Sequence, residues 1–302
     1  MRSLASRLYL ALATAGVVVA AGCGGADPAA PGGSTASTAP AATQPGAIAH
    51  STGPTDIVVR VASGGGYVPL EFNLRSLPSY TLYGDGTVIR PVPATAPDAT
   101  VTPLEMIKLD EAGIQALLAQ ARSAGLLDAQ TVDYGDMGAL GVSDMPTTTV
   151  TLSAGGVKAS HDAYGLTFAP TDPPAGTLTQ AQRDARAALR GFVALTEQQD
   201  PKATPYAPTR LAVWVAPALA QPTADSEPVV WPLATAPKVS GAAGAEGIDY
   251  RCSVAEGADV APLLAAAQKA PVGAQWIASP DRNATFQVVV RALLPDEAGC
   301  PA

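Results

Sequence analysis

Tyr80-Thr81-Leu82-Tyr83-Gly84-Asp85-Gly86-Thr87-Val88-Ile89 is the stretch from which the fold can be read. Apolar and β-branched residues alternate on either side of Asp85-Gly86, and that pair suits the positive-φ corner of a tight antiparallel turn. The segment predicts a β-hairpin in which Asp85 is a turn residue and not a ligand. Upstream, Ile57-Val58-Val59-Arg60-Val61 reads as another strand. Gly64-Gly65-Gly66 follows it without opening a helix, so the context of a phosphate cradle is missing and a loop is expected. Pro69 and Pro78 predict an irregular connection to the hairpin.

Downstream, Asp110 can cap a helix whose residues Ile114, Leu117, Leu118 and Ala121 share one apolar face. Gly125 stands where a left-handed residue ends such a helix, and Leu126-Leu127 can fold back onto that face. Tyr134 to Asp144 is a polar, Gly-rich loop. Thr147–Leu152 and Val157–Ser160 make a second hairpin around Ala154-Gly155-Gly156. Thr179 and Gln182 fit a capping box for a helix from Gln180 to about Gln198, expected to bury Ala185, Ala188, Leu189, Phe192 and Leu195. These features define a first unit over residues 56–200, and residues 201–208 read as a linker. A second unit, 209–302, is expected to have strands at Leu211–Val215, Val229–Leu233, Tyr250–Val254 and Thr285–Leu293. Its helix runs from Asp259, as cap, to about Lys269. The expected fold class is α+β: two small units of antiparallel strands, each packed with one or two helices.

The N-terminus has a different character. Arg2 and Arg7 precede Leu8–Ala21, which is uncharged and apolar apart from Thr14. That run is short for a permanent span and suits the core of a secretory signal. Ala20-Ala21-Gly22-Cys23 resembles a bacterial lipoprotein signal, in which Leu, a small residue and Gly or Ala precede the cysteine. Ala20 stands where Leu is usual. The resemblance implies that residues 1–22 are a cleaved signal peptide and that Cys23 carries a palmitate-type lipid. The chain would then be held at the extracytoplasmic face of the cell membrane, each buried acyl methylene contributing about 0.8 kcal/mol. Residues 23–55 are Ala, Pro, Gly, Ser and Thr with almost no large side chain. They are expected to be a disordered tether reaching roughly 30 Å, and His50 falls within it.

Of 302 residues, 15% are charged, and 18 Lys and Arg face 26 Asp and Glu for a formal charge of −8. Cleavage would remove two cations, Arg2 and Arg7, leaving −10. Such a chain is a poor partner for nucleic acid. With Cys23 lipidated, two of three cysteines remain, and an exported chain favours a Cys252–Cys300 disulfide.

The order of features from Ser79 to about Gln198 resembles a bacterial family of exported domains of unknown function. The shared features are a Gly-Asp-Gly-Thr-Val hairpin, a helix ending in a paired hydrophobic, and an Asp-x-Pro-Thr entry to a strand, here Asp144-Met145-Pro146-Thr147. The cysteine pair such domains often carry near their start is absent. Arg291-Ala292-Leu293-Leu294-Pro295-Asp296-Glu297 is similar to sequences that follow such domains in actinobacterial lipoproteins. The resemblance implies an uncharacterised lipoprotein and attaches no activity.

Candidate chemistry is sparse. His161 is the only histidine in the expected folded part, so a Ser-His-Asp triad or a His-based zinc site would have to use it. Asp162 points to the opposite face of the same strand, so His161 reads as a surface or loop-edge residue. No G-x-S-x-G, H-E-x-x-H or S-x-x-K motif occurs. Asp133, Asp136 and Asp144 share a Gly-rich loop and are weak metal candidates, because the calcium-loop spacing is missing. Trp214, Trp231 and Trp276 read as core rather than as carbohydrate platforms. No cofactor and no catalytic residue is expected. The expected role is a non-catalytic binding or structural module of the cell envelope, with a protein partner there. A carboxylate hydrolase of envelope polymer and a solute-binding lipoprotein are the alternatives.

Overall fold

A computed structural model describes residues 46–92, 100–137, 143–167, 178–198, 200–217, 227–237, 242–245, 248–271, 273–278 and 284–300. Cys23, with the expected signal peptide and most of the expected tether, lies outside them. The first of two sheets, of seven strands, runs outward in both directions from β1 (Ile57–Gly64). On one side follow β2 (Tyr80–Tyr83), β3 (Thr87–Pro91), β4 (Leu104–Lys108) and β7 (Thr204–Pro205). On the other lie β5 (Thr147–Ala154) and β6 (Val157–Tyr164). All the pairings are antiparallel. The β2–β3 hairpin forms where it is expected. Its loop is Gly84-Asp85-Gly86, and the positive φ of 84° falls on Gly86 alone. A Cβ at Gly86 would lie 2.3 Å from the Leu109 carbonyl oxygen, so no other residue fits. Asp85 serves the turn by accepting from the Thr87 N–H at 2.9 Å and from Lys108 Nζ at 2.7 Å.

Two helices, α2 (Glu111–Ser123) and α3 (Gln180–Thr196), pack into the core of this sheet. The Asp110 carboxylate accepts from the Gly113 N–H at 2.9 Å. At the other end Gly125 has φ 74°, and Leu126 and Gly125 donate to the Ala121 and Arg122 carbonyls. These are the paired bonds of a Schellman end. The Thr179–Gln182 capping box closes as expected. Leu195, however, is 38% exposed, because the inward stripe of α3 runs through Arg186, Leu189, Phe192 and Thr196. Described structure also begins within the stretch expected as tether, at residue 46. Ile48, the one large apolar residue of that stretch, is buried in the core. Its backbone bonds in both directions to the Gln115 amide, at 2.7 and 2.9 Å.

The second sheet has the order β10 (Ala242–Ala245), β11 (Ile248–Glu256), β8 (Arg210–Pro217), β13 (Thr285–Ala292), β12 (Gln275–Ile277), β9 (Val229–Val230). Only the β12–β9 contact is parallel. Every residue of β8 from Leu211 to Ala216 is buried. Leu211, Val213 and Val215 share a cluster with α4 (Val260–Lys269). Ala212, Trp214 and Ala216 belong to another cluster, where the short helix α1 (Leu70–Arg75) docks through Leu70 and Leu74. The expectation of an irregular chain between Pro69 and Pro78 missed α1. Asp259 makes no side-chain cap bond; a 3₁₀ turn, Gly257–Asp259, precedes α4 instead. The three tryptophans are buried, with Trp231 and Trp276 edge-on at 6.0 Å.

Residues Pro45–Ala302 form one compact unit, and its halves are interlocked. The stretch expected as a linker supplies β7 to the first sheet. Helix α1 comes from the first half and packs on the second sheet. In return, Ala292 and Leu294 pack against Tyr83, Ile89 and Leu104 of the first sheet. Asp296 Oδ1 accepts from Arg60 Nη2 at 2.7 Å and from the Tyr83 hydroxyl at 2.6 Å. Cys252 and Cys300 are joined by a disulfide across 48 residues. Constraining a loop of that size stabilises by about 4 kcal/mol in the chain-entropy model.

Candidate binding site beside the first helix

Pro69 precedes α1 and starts it; Glu71 falls in its first turn and Arg75 in its last, each complementing the local end of the helix dipole. Leu70 and Leu74, four apart, turn one face of α1 onto the second sheet, which leaves Phe72 more than half exposed. A cavity of about 310 Å³ opens between α1, β13, Trp276 and the end of α4. That volume is at the lower end of the ~300–1,000 Å³ range of small-ligand pockets. Its space exists because Ala267, Ala270, Gly273 and Ala274 present only small side chains to it. Val101, Trp276, Val288 and Val290 make its walls apolar.

One end is polar. The Tyr250 hydroxyl lies 3.2 Å from Glu71 Oε1 and 3.1 Å from Gln287 Oε1, so one hydrogen is offered to two acceptors. Burial, with the Glu71 charge adding to it, pushes the Tyr250 phenol well above its ordinary range. It is therefore a hydrogen-bond donor at neutral pH and not a base. Arg75 also faces the cavity, its Nε donating to the Glu71 carbonyl at 3.2 Å. On the other side of α1 lies a second, more open cleft of about 540 Å³, where the Gly64–Gly66 loop meets Asp144.

The residues singled out from the sequence are placed differently. His161 is not at the surface. It is 3% exposed, and its Nε2–H donates to the Leu126 carbonyl at 2.9 Å. Its Nδ1 accepts from the Tyr134 hydroxyl, also at 2.9 Å. Burial pushes that phenol up to about 12. Both ring nitrogens are thus spent on tying the loop after α2 to β6. Asp162 does point the other way, accepting from Thr149 Oγ1 at 2.6 Å. Asp133 accepts from the Gly135 N–H and from Gln182 Nε2, both at 2.8 Å, and these bonds hold its carboxyl below the ordinary range. It joins the loop to the start of α3. Asp136 is exposed in the same loop, whereas Asp144, at φ 60°, belongs to the open cleft. Among the described residues no group of three or more His, Cys, Asp or Glu is placed to hold a metal ion. Nor, among them, is any helix long and apolar enough to cross a membrane.

Arg186 was missed altogether. It is 2% exposed and donates to the carbonyls of Tyr134, Tyr164 and Gly165 at 2.7–3.2 Å. Burial, then the nearby Arg190, lowers its pKa. The cavity was missed too; its only trace in the sequence is the run of small residues around Ala265–Ala274. Comparison with protein-family models, with curated proteins and with solved structures finds no match to this chain.

Proposed function

We propose that this chain is a lipid-anchored, extracytoplasmic envelope protein that works as a non-catalytic binding module for a small, mainly apolar ligand. The cavity beside α1 carries the reading. It combines apolar walls with a few convergent polar groups, the general character of small-molecule sites. Those groups, Tyr250, Gln287 and Glu71, suit the orientation of a ligand more than its chemical conversion. The basic and apolar N-terminus running into Cys23 supports the anchor.

A homologous series of n-alkanols tests the cavity. Each methylene that enters contributes about 0.8 kcal/mol, so thermal stabilisation of the full-length chain should rise with chain length and then level off when the space is filled. Ala274→Leu, which projects a side chain into the cavity, should abolish the series while the chain remains folded. A flat response to chain length, or one that Ala274→Leu leaves intact, rejects the cavity as the binding site.

A further inference from the structure

Four consecutive residues of β13, Gln287 to Val290, line the cavity. Side chains alternate across a strand, so either face alone would present only every second residue. The cavity therefore meets β13 at its edge. The strand pairing explains why that edge is uncovered. On one side β8 accompanies β13 from Phe286 to Ala292. On the other, β12 pairs with it only from Thr285 to Gln287. Before Gln275 the chain turns aside, with the Ala274 N–H donating to the Pro271 carbonyl at 3.1 Å.

In an antiparallel ladder alternate residues turn their N–H and C=O groups away from a given neighbour. Within Val288–Val290, groups turned away from β8 point to the side where β12 has stopped. The Gln275–Gln287 pair turns the Val288 N–H onto the end of β12, but among the described residues no hydrogen bond reaches the Val288 C=O or the Val290 N–H and C=O there. Backbone groups so placed call for a partner. An acyl chain would fill the apolar volume and leave them unmet.

We propose that the cavity takes an extended, peptide-like ligand. It lies along Val288–Val290 as a short strand in line with β12 and seats an apolar side chain against Trp276 and Val290. This is strand addition at a sheet edge, in which main-chain bonds give affinity and the pocket gives side-chain preference. At the polar end, the Glu71 carboxylate accepts through Oε1 from Tyr250 and has acceptor capacity left for a ligand N–H. The inference rests on reading the cavity as a binding site and adds the class of molecule that enters it.

The test titrates the full-length chain with blocked tripeptides, acetyl-Ala-X-Ala-amide with X as Ala, Val or Leu, and with their backbone N-methylated counterparts. Val or Leu at X should bind more tightly than Ala, and Ala274→Leu should remove the difference. N-methylation keeps the apolar surface but deletes an edge hydrogen bond, so affinity should fall about tenfold. Equal binding of methylated and unmethylated peptides overturns the strand-addition inference. So does binding of n-alkanols without binding of any peptide, which leaves the cavity reading standing. If neither alkanols nor peptides bind, both fall together.

Discussion

Replacing Asp296 with Ala should be among the most damaging changes on this molecule outside the hydrophobic core. Its carboxylate is shared by Arg60 and Tyr83, at 2.7 and 2.6 Å, across the seam between the two halves. The side chains of Arg60 and Asp296 are only 20% and 16% exposed. Removing one partner of a buried pair costs about 3–5 kcal/mol, because the other charge is stranded. Water retains some access to Arg60 here, which puts the expected loss at about 3 kcal/mol. Arg60→Met together with Asp296→Ala should cost less than the two single changes summed, with a coupling of about 2 kcal/mol.

The pH dependence has a definite sign. Burial opposes ionisation of Asp296, but the bonds from Arg60 and Tyr83 outweigh it and hold its pKa below the ordinary value. A depressed folded-state pKa stabilises the protein above the unfolded-state value of about 3.9, and that contribution is lost as pH falls through the folded-state value. Urea unfolding of wild type and Asp296→Ala at a series of pH values measures both effects. The gap should be full at pH 7 and should narrow below about pH 4. A loss under about 0.5 kcal/mol at pH 7, typical of surface substitutions, would refute the argument. So would a gap that does not change down to about pH 2.

Gly86→Ala should lower stability by at least about 2 kcal/mol, since a left-handed backbone alone costs 1–2 and its Cβ meets the Leu109 carbonyl. Gly156→Ala, at φ 77° with nothing within 4 Å of the added atom, is the control and should show only the backbone cost; equal melting shifts for the two variants would refute the steric reading. Cys23→Ala should move the protein from the membrane fraction to the soluble fraction of its cells, and unchanged fractionation would end the lipid-anchor proposal.

Much of the first sheet could be read in advance because its signals are local. The Gly84–Gly86 turn, the Asp110 cap, the Gly125 end and the Thr179–Gln182 box each need only a few neighbouring residues. His161 was legible and was misjudged. Ala159, His161 and Ala163 lie two apart in β6, and the strand period itself puts the ring on the same side as the fully buried Ala163. Arg186 was harder, because a guanidinium buried among carbonyls leaves no pattern along α3. Helix α1 was hidden by prolines read as breakers, although Pro69 is compatible with a helix start. The cavity left almost no trace in the sequence beyond the small residues around Ala265–Ala274. It is a volume left by small side chains where α1, α4 and the end of β12 meet, and those segments are distant in sequence.

The clasp formed by Leu294 and Asp296 also bears on the order of folding. Arg60 and Asp296 are 236 positions apart, and Tyr83, Ile89 and Leu104 lack part of their cover until Ala292 and Leu294 arrive. The first sheet can pair its strands early, but this patch stays open until Ala292 and Leu294, about two hundred positions later, have left the ribosome. Contacts of such separation form slowly, and uncovered apolar strands invite aggregation in the meantime. A chain ending before Leu294 should therefore be sticky rather than merely shorter, and the segment from Ala292 to Asp296 acts as the closing stage of assembly for a sheet whose Tyr83, Ile89 and Leu104 precede it by most of the chain.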